Sequence, residues 1–270
     1  MARRPKRTTR TFAEERQTAI LDMLEHETTV QVADLARIFG VSSVTARADL
    51  DALASAGKLR RTHGGAISLQ RTLTVSVQDR RVNVNADAKR AIAAVALELV
   101  HDGDTLIVDS GTTALEFVRA LDVRSGITVI TADMTIADYI DESLPSISAV
   151  VLGGSLRKGH RYLYGPLTQA ALAELHADLA VICPGGFVTS RGFMTDFPQM
   201  AEVKKGMLDA AARRVALMDA SKISARSMLR FADIDDLDDI VMDRDPAGII
   251  AATIAELPED RRPWLHLAAR

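Results

Sequence analysis

The sequence predicts an α/β protein in two parts: a small helical N-terminal module closed by a β-hairpin, then a mostly parallel sheet covered by helices. Three observations carry that prediction. Apolar residues recur at helical spacing through residues 12–56, a basic segment broken by Gly64 and Gly65 follows, and from residue 87 short apolar runs alternate with helical patterns. The 270 residues suit two domains at about 100–200 residues each. With 47% hydrophobic and 26% charged residues the composition excludes a disordered chain. No apolar run reaches the roughly 18 residues that cross a bilayer, and MARRPKRTTR leads into Glu14 and Glu15 instead of an apolar signal core. Cys183 stands alone, which excludes an internal disulfide and a Cys-rich zinc site, so the expected setting is the cytoplasm, with no cofactor and no metal.

Charge is divided along the chain. Residues 1–70 carry 11 Lys+Arg against 8 Asp+Glu, whereas the remainder carries 22 against 28. Arg3, Arg4, Lys6, Arg7 and Arg10 precede any acid; they form either an arm that gathers phosphates by releasing counterions or a solvated terminus.

Element by element, Ile20, Leu21 and Leu24 share one helical face, and Val32, Leu35, Ala36 and Phe39 repeat the pattern in a second helix that Gly40 stops. Val41 is placed to plug the gap between helices, and Ser42 to cap a third helix running to about Ala56. On a helical wheel Leu50, Leu53 and Gly57 lie within about 40° of Ala46, which turns Val44, Arg47, Ala48, Asp51 and Ser55 outward. A helix so presented fits a DNA major groove, with Arg47 able to donate two hydrogen bonds to guanine, Ser43 or Thr45 reaching bases or phosphates, and Val44 meeting a thymine methyl. An ordinary solvated helix face accounts for each residue taken singly. The segment KLRRTHGGAISL then predicts a hairpin wing whose Arg60, Arg61 and His63 meet the DNA backbone; a lone His63 has no metal partners.

RQTAILDMLEHETTVQVADLARIFGVSSVTARADLDALASAGKLRRTHGGA resembles the winged helix-turn-helix of bacterial DeoR-type transcriptional regulators. The family pattern carries an Arg-Arg pair where this chain has Arg47 followed by Ala48, a departure that bears on the operator sequence.

From Ser68 to Asp87 the chain is polar and is expected to be a linker. AKRAIAAVALELV predicts a helix with Ile92, Val95, Ala96 and Leu99 on one face, and GDTLIVDSGTTALEFVRAL passes from a strand through a Gly-Thr turn into another helix. Further strands are expected at 127–130, 147–152, 179–182, 215–218 and 240–242. Ligands collect at the carboxyl ends of such strands. There Asp109, Ser110, Gly111, Thr112 and Thr113 offer amides and hydroxyls to an anion at a helix N-terminus, although helix capping accounts for DSGTT equally well. Asp109 itself suits sugar hydroxyls or holding the loop. Other strand ends carry Asp133, Gly153 and Gly154 with Arg157 and Lys158 beyond, the Gly185–Gly186 pair, and Asp219 with Lys222; taken singly, each Gly pair is equally a turn and each cation a surface charge.

DSGTT, ITVITAD, VVLGGSLRKG, GPLTQAAL, AEVKKGM and MDASK resemble the effector domain of the same DeoR-type regulators, itself similar in fold to ribose-5-phosphate isomerase. That resemblance implies a pocket for a phosphorylated sugar or polyol, with the DSGTT loop on the phosphate and Asp133, Gly153, Gly154, Lys204 and Lys222 near the rest. Ala132 stands where the family commonly has Asn. Glu202, Lys204, Asp219 and Lys222 keep an isomerase open as the alternative, but the isomerase's acidic segment is replaced by Cys183, Pro184, Gly185, Gly186 and Phe187. The expectation is therefore a sugar-phosphate-responsive repressor, not an enzyme, binding double-stranded DNA as a homo-oligomer (dimer or tetramer) with half-sites about 34 Å apart or a multiple of it. On this pattern the chain divides into a basic arm (1–11), a winged helix-turn-helix (12–70), a linker (71–86), an effector domain (87–257) and a tail (258–270), read as a loose end with docking of Trp264 and Leu265 on a neighbour as the alternative.

Overall fold

The computed structural model describes residues 13–26, 29–62, 64–68, 84–225 and 227–268. The chain folds as two units, Met1–Val75 and Ser76–Arg270.

In the first unit, α1 (Ala13–His26) is followed by β1 (Thr29–Gln31), α2 (Val32–Phe39), α3 (Ser43–Ser55), β2 (Leu59–Arg61) and β3 (Gly65–Ser68). Gly40 ends α2 in the left-handed conformation at φ 64°, and the Ser42 side chain accepts from the Thr45 N–H to start α3. Ile20, Leu24, Leu35, Ala46, Leu50 and Leu53 form the centre of one apolar cluster, as the helical spacing requires. Beneath it Arg16 grips Asp49 with two hydrogen bonds, Nε to Oδ2 at 2.8 Å and Nη2 to Oδ1 at 3.1 Å, locking α1 to α3. The expected hairpin is β2–β3, and β1 adds a third antiparallel strand on the far side of β3. That strand explains the second glycine of the pair: a Cβ on Gly65 would lie 1.8 Å from the Val30 carbonyl oxygen.

The second unit starts with α4 (Ala86–Leu97), β4 (Thr105–Val108), α5 (Thr112–Ala120), β5 (Thr128–Thr131), α6 (Met134–Ser143) and β6 (Ser148–Val151). A hairpin of β7 (Ser155–Arg157) and β8 (Tyr162–Tyr164) leads to α7 (Pro166–Glu174), β9 (Ala177–Ile182), β10 (Gly186–Val188), β11 (Gly192–Thr195) and α8 (Pro198–Asp209). The chain closes with β12 (Ala211–Met218), β13 (Leu229–Ala232), β14 (Asp239–Met242), α9 (Ile249–Ala255) and β15 (Trp264–Leu267). Seven strands form a parallel sheet in the order β15-β14-β12-β9-β4-β5-β6. All six apolar runs read from the sequence are strands of it.

Alternating residues of these strands feed two cores. Leu106, Val108, Val129 and Val181 face the side that also buries Ile92, Phe117 and Ile136 from α4, α5 and α6. Ile107, Ile130 and Ile182 face the side covered by Leu172, Val203 and Ile250 from α7, α8 and α9. The chain runs from β4 outward through β5 and β6, then returns to place β9 against the other edge of β4. Strand order therefore reverses between β4 and β9, where a crevice opens at their carboxyl ends.

Two expectations are corrected. The segment after Pro258 is no loose tail: Trp264–Leu267 pairs in parallel with β14, and the buried Asp239 receives both Arg213 and, at 2.7 Å, His266 Nε2. A small antiparallel sheet of β10, β11 and β13 also stands at the Gly185–Gly186 strand end, where the sequence was read for a ligand loop or a turn.

Candidate functional site

Two surfaces bear the predicted residues. On α3, Ser43, Val44, Arg47, Ala48, Asp51 and Ser55 are exposed, Val44 at 72%. Ser42 supports this face from below: its Oγ accepts from the Thr45 N–H and lies 2.9 Å from the Thr45 hydroxyl, so Thr45 is half-buried. Arg47 makes no hydrogen bond or ion pair among the described residues. Arg61 differs, because its Nε donates to Asp51 Oδ1 at 2.6 Å and its Nη1 to the Gly65 carbonyl. It is bound inside the module, tying the wing to α3. Arg60 lies on β2 with its backbone opposite Ile67, and His63 falls outside the described residues.

The second surface is a cavity of about 360 Å³ at the β4/β9 reversal, a size within the roughly 300–1,000 Å³ of small-molecule sites. Of the residues predicted for a ligand, Ser110, Gly111, Thr112, Thr113, Arg157, Lys204 and Lys222 line it. Gly111 enters α5 at φ 126° and ψ 169°, a conformation that only glycine takes readily, and exposes the first amides of the helix. Asp133 Oδ2 accepts the Gly111 N–H at 3.3 Å, while its Oδ1 caps α6 through Thr135 and Ile136. Asp133 is thus buried and supports the loop from outside the cavity wall.

Asp109 lies deeper. Fully buried, it binds Lys204 Nζ and accepts the Cys183 N–H through Oδ2, leaving Oδ1 with no partner among the described residues. Lys204 also donates to the Cys183 carbonyl at 2.9 Å. The Cys183 thiol, reached by the Ala114 N–H, is pushed up to about 12 by burial and then by the Asp109 charge, against the pull of Lys204 and Lys222. Lys222 lines the same cavity as the Ser110–Thr113 loop that opens α5. Arg157 stacks 4.0 Å above the Phe197 ring and donates to the Tyr162 hydroxyl, whose pKa is raised chiefly by burial. Four cations, Lys89, Arg157, Lys204 and Lys222, line the cavity against two carboxylates, Asp196 and Asp219, with Asp109 beneath offsetting one. The balance favours an anion.

Three predicted residues lie elsewhere. Gly153 offers its carbonyl to Thr168 at 2.6 Å, and Gly154 sits at φ 146° where a Cβ would meet Thr168 Oγ1 at 2.3 Å. Both shape the entry to the β7–β8 hairpin. Lys158 is exposed at its tip, and Glu202, considered for acid–base work, is exposed on α8 outside the cavity lining. Asn85, Lys89, Tyr162 and Phe197 join the lining without having been read from the sequence. Lys89 left a signal, a lysine on the apolar face shared with Ile92, Ala93 and Ala96. Among the described residues no group of three or more His, Cys, Asp or Glu is placed to hold a metal, and no helix is long and apolar enough to cross a membrane.

A winged helix joined in one chain to an anion-accepting α/β cavity is the build of a ligand-responsive DNA-binding regulator. Residues 16–72 match the DeoR-like helix-turn-helix domain and residues 84–244 the DeoR C terminal sensor domain, and the chain belongs to the DeoR family of transcriptional regulators. It is 32% identical over 235 residues to the HTH-type transcriptional repressor GlcR of Bacillus subtilis (strain 168), spanning 87% of this chain and 90% of that protein. The Transcriptional repressor AccR of Agrobacterium fabrum is 32% identical over 88% of this chain and 92% of its own length. The L-fucose operon activator of Haemophilus influenzae is 31% identical over 83% of this chain and 90% of its own. Among solved structures, ribose 5-phosphate isomerase A of Methanocaldococcus jannaschii matches at 21% identity with a TM-score of 0.39, covering 52% of this chain and 55% of that one. A likeness of that size carries no argument about activity.

Proposed function

We propose that this regulator represses genes of carbohydrate or polyol metabolism and releases its operator when a phosphorylated sugar enters the sensor cavity. The observation that carries the reading is the meeting of the Ser110–Thr113 loop, at the positive end of α5, with Lys222 in one crevice. A phosphate there receives helix amides, two threonine hydroxyls and an ammonium. Asp219 and Asp196, which also line the cavity, suit the hydroxyls of a sugar. Two of the relatives above are named repressors, which supports the sign, and the third, an activator named for a sugar operon, supports the ligand class alone.

On this reading Arg47, Val44, Ser43 and Thr45 read bases or phosphates, Arg60 and His63 hold the backbone, and Arg61 acts through Asp51 as a brace for α3. The protein works as a homo-oligomer, since paired recognition helices about 34 Å apart, or a multiple of it, match a two-fold operator. Ligand weakens binding only in so far as it prefers the arrangement that cannot span both half-sites. The test is calorimetric titration with hexose phosphates, pentose phosphates and glycerol phosphate, paired with DNA binding to a duplex the protein selects from a randomised pool. Saturable binding that lowers DNA affinity is expected. Ligand binding that tightens DNA affinity overturns release by the ligand, and no binding by any of the compounds overturns the ligand class.

A further inference from the structure

We infer that the hydrogen bond between Asn85 and Asp219 is the contact through which a cavity occupant acts on the DNA-reading half of the chain. The inference rests on the sugar-phosphate reading above and names the residue that transmits it. Asn85 immediately precedes α4 and is the covalent entry from the residues that follow the winged helix. Its backbone is left-handed, at φ 55° and ψ 36°, a region that asparagine tolerates better than other side-chain-bearing residues. An asparagine at a helix start ordinarily turns its side chain onto its own helix. Here it does not: Nδ2 instead donates to Asp219 Oδ1 at 3.1 Å, across 134 residues of sequence.

Asp219 stands at the carboxyl end of β12, 3% exposed, and the same Oδ1 accepts the Ser221 N–H at 3.0 Å. Asn85 and Asp219 line the sensor cavity and also border a neighbouring polar cleft, so their bond is part of the partition between the two. Lys89, one helical turn beyond Asn85 and joined to it by a backbone hydrogen bond, faces the same cavity. The first turn of the sensor domain is therefore a wall of the ligand site. A sugar hydroxyl that donates to Asp219 Oδ1 competes with the Asn85 amide, and its displacement releases the turn to which the upstream chain is attached.

Asn85→Gly tests this directly, since glycine keeps the left-handed backbone and removes only the amide. Asn85→Asp, close in shape, sets a carboxylate against Asp219 and breaks the bond by repulsion. Full-length native and variant proteins are titrated with the same sugar phosphates, inorganic phosphate serving as control, and with a duplex that the native protein selects from a randomised pool. Native DNA affinity is expected to change by about 5–150-fold on saturation, the usual range of allosteric coupling. Either variant without ligand is expected to hold DNA as the saturated native protein does and to respond by less than about twofold, with Asn85→Gly binding sugar phosphate at least as tightly and Asn85→Asp, which adds a negative charge to the lining, more weakly. A variant that folds, binds ligand and responds like the native protein overturns the relay while leaving the sensor reading intact. A native protein whose hold on DNA ignores every sugar phosphate overturns both.

Discussion

Lys204→Met removes one cation from the lining of the sensor cavity and leaves Asp109 charged, fully buried and stripped of its ion pair. Only the Cys183 N–H remains on Oδ2, and Oδ1 already lacks a partner among the described residues. Removing one member of such a buried pair costs about 3–5 kcal/mol, because the remaining charge is neither solvated nor compensated. A unit of this size shifts its melting point by about 2–4 °C per kcal/mol, so a fall of about 6–20 °C is expected. Differential scanning calorimetry of the full chain follows that transition, because Trp264 on β15, the single tryptophan, is 73% exposed and changes surroundings little on unfolding. Asp109→Asn combined with Lys204→Met removes both charges while Asn keeps an acceptor for Cys183. The double variant is expected to recover at least half of the loss, since coupled residues are not additive. If the double variant loses the sum of the two single losses, the pair is not an energetic unit and the reasoning fails.

Three further outcomes separate the two surfaces. Arg47→Ala is expected to relax base preference at one operator position by about 1–3 kcal/mol while leaving sugar-phosphate affinity unchanged; a uniform loss across sequences with a salt slope lower by about 1 assigns Arg47 to phosphate instead. Lys222→Ala is expected to weaken sugar-phosphate binding by about 1.5–3 kcal/mol in calorimetry and to spare DNA binding without ligand, and an unchanged ligand affinity removes Lys222 from the site. Cys183, ordinarily ionising near 9.0 but pushed up to about 12 in the fold, is expected to resist thiol reagents at pH 8 until urea unfolds the chain. Between those two values the unfolded chain gives up the thiol proton and the folded chain keeps it. Stability attributable to this group is thus full below pH 9 and is lost as pH climbs toward 12, and Cys183→Ala should flatten that part of a urea-midpoint profile.

The correspondence between sequence and structure follows the range of the forces involved. Six sheet strands, the three N-terminal helices and the outward face of α3 were legible because each depends on spacing within a few residues, as with Leu50 and Leu53 turned inward opposite Val44 and Arg47. The DSGTT loop was legible for the same reason, as a local strand-to-helix passage. Asp133 was placed beside a ligand, and the structure gives its two oxygens to α6 and to Gly111, because a strand-end carboxylate can satisfy either need and only the path of the α5 loop selects one. Arg61 was read as facing DNA, and Asp51, one element away, takes its guanidinium.

What the chain by itself determined is the order of its elements, the two-part division of charge, which face of α3 is exposed and that the DSGTT strand end opens on the cavity; periodicity and capping are properties of neighbouring residues. Tertiary structure alone decided that Asp109 meets Lys204 across 95 residues, that Asn85 meets Asp219 across 134, and that residues 264–267 complete the sheet. Each of those pairings depends on which strand lies beside which. Short-range pattern is silent on that, because a buried charge finds its partner by position in space and not by distance along the backbone.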